Sequence, residues 1–373
     1  MRKIWKTKLL DKALLVHNLV KRHQVDTTVD LSTLQPRHIL IFSTTALGDF
    51  LFNSPAIRAV RARYPDALIT LIAHQKFTDF LRTGDDWDNL AFWNNKAITI
   101  APLLKELKQY PRPDLALLLH SHEPYDYLCA ILSGAKTIIK DNYQDNVPLR
   151  DKWLADYTIA FKGHIIQRKL ALVQGLGCDI NDITMKLPLV LPEKQRNPQP
   201  VIGLQLGAST PERCWAPEHF ASAAAHILTR HPECHFILIG GPGDTGRAAA
   251  LLQHLPQALH EKVSNRVGAT GLPELCTIIN NMDLLITGDT GPLHIAVTVK
   301  TPTLGLFVTA NPYATGAFQD PHLHQTIYVS RRKSHSELAH VMDVIRPEQV
   351  AAKVTEMLEK GIRTLTPEEQ LVE

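Results

Sequence analysis

Asp49 stands at the end of Thr44-Thr45-Ala46-Leu47-Gly48-Asp49, between the apolar run HILIFS (38–43) and a helical stretch. A carboxylate at the mouth of a strand–loop–helix turn either caps the helix or takes a proton from a substrate alcohol. A second cluster, GDTGPLH (288–294), follows the apolar run DLLIT and opens a helix with Asp289, Thr290, Gly291 and His294. Backbone N–H groups at a helix start, with the helix dipole behind them, suit a diphosphate. Thr290 adds a hydroxyl donor, and the glycines admit close approach of a phosphate. Asp289 is out of place in a pure phosphate cradle and reads as a residue fixing the loop or a sugar hydroxyl. His294, one turn on, can point back at the ligand. Read locally, the same Gly-Asp-Thr-Gly run is also an ordinary helix start.

Three more loops carry reactive side chains. GASTPERCW (207–215) offers Ser209 and Arg213, and a guanidinium there can neutralise a phosphate in a fork-like geometry. GGPGD (240–244) has the glycine density of a phosphate or ribose loop and ends on Asp244. Neither it nor loop 44–49 is Gly-x-Gly-x-x-Gly, so the dinucleotide fingerprint is absent and NAD or FAD is disfavoured. HSHEP places His120, His122 and Glu123 together. With no second motif of metal-site spacing, these read as hydrogen-bonding groups lining a cleft, and no metal is expected.

These loops need strands to carry them, and the alternation of apolar runs supplies those. Strands are expected at 38–43, 67–73, 114–121 and 137–140, then at 201–209, 234–241, 283–289 and 301–308, with helices between them. The helix after Asp49 either restarts at Ser54-Pro55 or bends there. This is the βαβ signature of parallel sheets covered on both faces. The segment LPLVLPEKQRNPQP (187–200) is the best linker candidate. The reading is α/β, with two doubly wound halves facing a cleft and ligands at the carboxyl ends of the strands. The expected boundaries are a basic amphipathic extension over 1–36, a domain over 37–190, a linker over 191–200, a domain over 201–346, and a helix and tail over 347–373.

A length of 373 residues agrees with two cores. The net charge of +3, and the lack of a zinc-knuckle or RNP-like run, disfavour a nucleic-acid partner. Cys129, Cys178, Cys214, Cys234 and Cys276 are odd in number and scattered, which disfavours a disulfide framework and suits a reducing cytosol. No apolar run is long enough to span a membrane, and the start lacks a signal-peptide core, so a cytoplasmic location is expected. In that start, Ile4, Leu9, Val16 and Leu19 share a stripe with Trp5 and Leu15 alongside. Lys3, Lys6, Lys12 and Lys21 lie elsewhere. Such a helix either lies on an anionic membrane or packs on the domain with a solvated basic face.

The order Ser/Thr-x-x-Gly-Asp, then Gly-Ala-Ser…Trp after the linker, then Asp-Thr-Gly-Pro-x-His resembles the bacterial ADP-heptose:lipopolysaccharide heptosyltransferases of glycosyltransferase family 9. FNSPAIRAVRARYP and GLPELCTIINNMDLLITGDTG strengthen the resemblance, which runs from about His38 to Leu358. It implies a GT-B fold of two Rossmann-like domains. It also implies an inverting transfer of heptose from ADP-heptose to the lipopolysaccharide inner core, with Asp49 as general base and no cofactor beyond the nucleotide sugar. Ser209, Arg213, Asp289, Thr290, Gly291 and His294 then hold the donor diphosphate, Asp244 and Thr270 the nucleoside, and Thr45, Arg58, His120 and His122 the acceptor. The implied setting is a monomer, peripheral on the cytoplasmic face of the inner membrane, acting on a lipid A-anchored core.

Arg213 replaces the family's usual lysine, only Asp244 is near the usual ribose carboxylate, and Phe307-Val308-Thr309-Ala310 replaces a common Phe-Gly-Pro-Thr. The alternatives are another nucleotide sugar, another acceptor such as an O-antigen or protein hydroxyl, a nucleotide-sugar epimerase, or a non-catalytic two-lobed sugar-binding protein.

Overall fold

The computed structural model describes residues 9, 12–17, 19–20, 25–122, 124–141, 153–158, 163–330, 338 and 340–360. The chain divides into two units, Met1–Val190 and Leu191–Glu373.

The first unit is built on a six-stranded sheet. Its strands are β1 (His38–Ser43), β2 (Leu68–Ala73), β3 (Asn89–Phe92), β4 (Leu115–His120), β5 (Thr137–Lys140) and β6 (Asp156–Tyr157). They lie in the order β3-β2-β1-β4-β5-β6, and the pairings are parallel. β1 is buried along its whole length, as its unbroken apolar run requires once helices cover both faces. Leu40, Phe42, Ala116, Leu118 and Ile138 form a core with Trp93, Ile100 and Tyr127.

The second unit repeats the design with β7 (Val201–Gln205), β8 (His235–Ile239), β9 (Val263–Asn265), β10 (Leu284–Gly288), β11 (Thr303–Phe307) and β12 (His324–Tyr328). Their order is β12-β11-β10-β7-β8-β9. Counted from each unit's own first strand, both sheets follow the order 3-2-1-4-5-6, the doubly wound dinucleotide-fold order. In each, the chain reverses direction between the first and fourth strands, at β1/β4 and at β7/β10. The helix Pro347–Glu359 packs against Pro217–Arg230 and contributes Val350, Ala351 and Val354 to the second core. Residues 191–200 are fastened to this unit: Lys194 donates to the Met282 carbonyl at 3.0 Å and Asn197 to the Asn281 carbonyl at 2.7 Å.

Two expectations change. The helix after β1 runs unbroken from Leu47 to Arg63 with Pro55 inside it. Pro55 has no N–H to offer the Leu51 carbonyl, and the Ser54 hydroxyl takes that place at 2.8 Å while accepting Lys186 N–H at 3.0 Å. Ser54 therefore repairs the helix rather than starting one. At the N-terminal end residues 12–17 are helical, and Leu14, outside the expected stripe, is the residue that enters the core. Leu9, Leu15, Val16, Leu19 and Val20 are exposed. Ile4, Trp5, Lys3, Lys6 and Lys21 lie outside the described residues.

Candidate active site

At the reversal of the first sheet, the loop after β1 and the end of β4 meet. Asp49 is not the N-cap, a position held by Ala46, but the third residue of the helix. Its Oδ2 accepts the Thr45 hydroxyl at 2.7 Å and the Ala46 N–H at 3.1 Å, which ties down the helix entry. Its Oδ1 lies 3.2 Å from His120 Nδ1. The carboxylate keeps 22% of its side-chain surface open, so capping and presentation to solvent coexist.

His120 arrives there through an irregularity in the ladder. The pairing of β1 with β4 jumps from Phe42–Leu118 to Ser43–His120, skipping Leu119. Such bulges re-aim side chains beside functional sites. The Leu119 carbonyl accepts the ammonium of Lys169, and Thr44 N–H closes onto the His120 carbonyl at 2.8 Å. Asn95, in the left-handed region at φ 61°, holds the loop by donating to the Thr44 carbonyl and accepting the Thr44 hydroxyl, both at 2.6 Å.

Beneath the pair lies a buried charge network that sequence reasoning missed. Lys169 bonds Asp141, which also takes Arg168 Nε at 2.7 Å and the Thr158 hydroxyl at 2.5 Å. Lys140 bonds Asp126, which accepts Ser121 at 3.0 Å and Tyr127 N–H at 2.8 Å. Burial pushes both carboxyls up, but their cations outweigh it and hold both below the usual range. Burial, then Lys169, Lys140 and Arg168, push His120 well below its ordinary value. The only sequence signal was the presence of charges inside apolar runs, as in TIIKD and RKLAL.

The structure therefore brings Thr45, Asp49 and His120 together. Arg58 lies nine residues further along the helix, about 13 Å away by helical rise. There it forks Asp182 at 2.7 Å and the Thr184 carbonyl at 2.6 Å. His122 is exposed, and its carbonyl starts the next helix by accepting Tyr125 and Asp126 N–H. Glu123 lies outside the described residues.

At the reversal of the second sheet, Arg213 and Asp289 form the corresponding pair, Nη1 to Oδ2 at 3.0 Å. Gly288 lets the two loops touch backbone to backbone, since a Cβ there would sit 3.0 Å from the Arg213 carbonyl. His294 Nε2 lies 3.8 Å from the other Asp289 oxygen. Thr290, its hydroxyl 3.0 Å from that of Thr287, precedes the helix Gly291–Thr298, whose first turn has no side-chain cap. Pro292 has no N–H and Leu293 N–H donates to the Thr290 carbonyl at 3.1 Å, so what this start offers an anion is chiefly its dipole. Ser209 is exposed in the loop after β7.

The neighbouring loops continue along the same edge. Asp244 Oδ2 accepts Gly241 N–H at 2.8 Å and lies over Gly207, where any Cβ would come within 2.0 Å of it. Gly268, at φ +71°, donates to the Gly240 carbonyl at 3.0 Å, and Thr270, two residues further on, is half-buried. Arg247, unforeseen from the sequence, clamps the Leu206 and Trp215 carbonyls at 2.8 and 2.5 Å. Among the described residues, no three His, Cys, Asp or Glu side chains cluster as metal ligands, and no helix is long and apolar enough to cross a membrane.

Comparison with known proteins places this geometry. The model of glycosyltransferase family 9 (heptosyltransferase) matches residues 149–341, just over half of the chain. A lipooligosaccharide heptosyltransferase 2 of Campylobacter jejuni is 25% identical over 336 residues, covering 87% of this chain and 99% of its own. Among solved structures, a glycosyl transferase family 9 protein from Veillonella parvula superposes with a TM-score of 0.72 at 19% identity, covering 90% of this chain and all of its own. The Escherichia coli heptosyltransferase WaaC, solved with ADP, superposes at 0.64 and 15% identity, covering 86% and 99%. The shared architecture is GT-B, two doubly wound α/β units in one chain. The chain belongs to glycosyltransferase family 9, the heptosyltransferases, and is a glycosyltransferase.

Proposed function

We propose that this enzyme moves heptose from ADP-heptose to a hydroxyl of the lipopolysaccharide inner core with inversion, using Asp49 as general base. One observation carries the reading. Both sheets bring a carboxylate and a nitrogen-bearing side chain together at the same topological reversal, Asp49 with His120 in one and Asp289 with Arg213 in the other, the second beside a helix start with no side-chain cap. The acceptor belongs to residues 37–190 and the donor to residues 201–346.

In this reading Gly291, Thr290, Ser209, Arg213 and His294 receive the diphosphate, and Asp289 holds Arg213 in place. Asp244 receives the ribose and Thr270 the adenine. These loops span four adjacent strands, β9-β8-β7-β10, about 14 Å at ordinary strand spacing, which suits an extended nucleoside diphosphate. The ADP bound in the E. coli relative supports adenine as the base. The acceptor hydroxyl gives its proton to Asp49 Oδ1, since Oδ2 already accepts two donors. The acceptor oxygen then bonds the anomeric carbon, and the bond to the diphosphate breaks with its electron pair leaving on ADP. The helix start and Arg213 stabilise that departing charge without a metal. The exposed Leu15, Val16, Leu19 and Val20 support contact with the cytoplasmic face of the inner membrane, where a lipid-anchored core is presented.

The test is a panel of ADP- and UDP-sugars incubated with the full chain and deacylated inner-core lipopolysaccharide, with nucleotide release measured. The reading predicts ADP release from ADP-heptose that depends on acceptor. Release of UDP in preference to ADP, or none from ADP-heptose, refutes it.

A further inference from the structure

We propose that His120 is a positioning residue for Asp49: a neutral imidazole that donates its Nδ1–H to Oδ1 and aims the carboxylate at the acceptor. The proposal deepens the reading of Asp49 as base and rests on it.

The geometry supplies the argument. Thr45 and Ala46 both bond Oδ2, so they fix one oxygen but leave the carboxylate free to swing about it. The 3.2 Å contact of His120 to Oδ1 is the second anchor. The ring is itself placed by the ladder irregularity at Leu119, whose carbonyl is held by Lys169. An anchor of this kind must stay neutral, because an imidazolium would form a salt bridge with Asp49 and weaken it as a base.

The surroundings enforce that state. Lys140 and Asp141 face the site from the end of β5, Arg168 and Lys169 from the helix Ile165–Gln174, Asp126 from the helix Tyr125–Leu132, and Asp49 from its own helix. Among the described residues, Lys140, Arg168 and Lys169 are the cations that act on His120, and Asp49 in turn acts on Lys169. Burial lowers Lys169, and Asp141 and Asp49 oppose the fall and favour its ammonium form. A proton on His120 would add a fourth cation to this group.

Two substitutions separate positioning from proton transfer. His120→Ala removes the anchor, whereas His120→Asn keeps an N–H near the position of Nδ1 but cannot act as a base. Turnover of ADP-heptose is measured with each, alongside Asp49→Asn, ADP affinity and pH–rate profiles. In His120→Ala kcat is expected to fall roughly 10- to 100-fold, the cost of a misplaced catalytic group. The KM for donor should stay within a few-fold, and the acid limb of the profile should move to higher pH. His120→Asn should recover most of the rate and the original limb. Wild-type kcat in His120→Ala, or a His120→Asn enzyme as inactive as Asp49→Asn, overturns the proposal; in the latter case His120 carries the proton itself. Undiminished turnover in Asp49→Asn overturns the base reading instead, whatever the His120 variants do.

Discussion

Replacing Arg213 by alanine removes a cation from the donor edge and also exposes a hidden liability. Asp289 is only 9% open to solvent, and Arg213 is its partner at 3.0 Å. Loss of a charge-assisted contact to a phosphate costs about 1.5–3 kcal/mol. The carboxylate, which keeps His294 at 3.8 Å but loses its guanidinium, then faces the incoming diphosphate. At about 5 Å and an effective dielectric of about 20, each phosphate charge meets roughly 3 kcal/mol of repulsion, which water entering the gap reduces. A combined loss of about 3–4 kcal/mol weakens ADP binding on the order of 10²- to 10³-fold. The second contribution is separable, because Asp289→Asn in the Arg213→Ala background removes the repulsion and should restore about tenfold. Titration calorimetry of ADP into the full chain, with melting curves to confirm folding, reads both effects. ADP affinity within threefold of wild type in Arg213→Ala would refute the reasoning. So would a double variant weaker than Arg213→Ala alone.

Ser54→Ala should cost about 2–4 kcal/mol in urea unfolding, since it strands the Leu51 carbonyl and the Lys186 N–H. Adding Pro55→Ala returns an N–H to Leu51, so the double variant should be less destabilised than the sum of the singles, and strict additivity would contradict the repair role of Ser54. His324 is held down to about 4 by burial, with Thr303 3.0 Å from its Nδ1. Between that value and the unfolded value near 6.5 the unfolded chain binds more protons. Stability is therefore complete above about pH 6.5 and falls by up to roughly 3 kcal/mol as pH drops toward 4. His324→Gln should flatten that slope in unfolding curves taken across the interval. Changing the exposed Leu15, Val16, Leu19 and Val20 to serine should reduce sedimentation with anionic vesicles at unchanged melting temperature, whereas Leu14→Ala should lower the melting temperature.

The sequence disclosed what depends on local pattern. β1, β4, β7 and β10 are dominated by apolar residues, and the loops that end them carry the residues singled out for chemistry. The short edge strands β3, β6, β9 and β12 were not seen, because two to five residues with polar members carry no periodicity of their own. The pairing of Asp49 with His120 was also invisible. It spans 71 positions and exists because β1 and β4 are neighbours and the ladder skips Leu119. His120 and Arg58 both read as acceptor groups, yet one meets Asp49 and the other is held by Asp182, a distinction that tertiary structure alone makes. At the N-terminus the helical stripe was drawn without Leu14, since adjacent apolar residues such as Leu14, Leu15 and Val16 leave several faces equally plausible from spacing.

The central claim is that Asp49 takes the acceptor proton, and Asp49→Asn tests it most directly, since the amide keeps the shape and loses the base. The measurement is the initial rate of heptose transfer from ADP-heptose to deacylated inner core, paired with ADP affinity on the same sample. The account predicts a rate lower by about 10²- to 10⁴-fold with ADP affinity within a few-fold of wild type. A rate within tenfold of wild type, with binding intact, contradicts it.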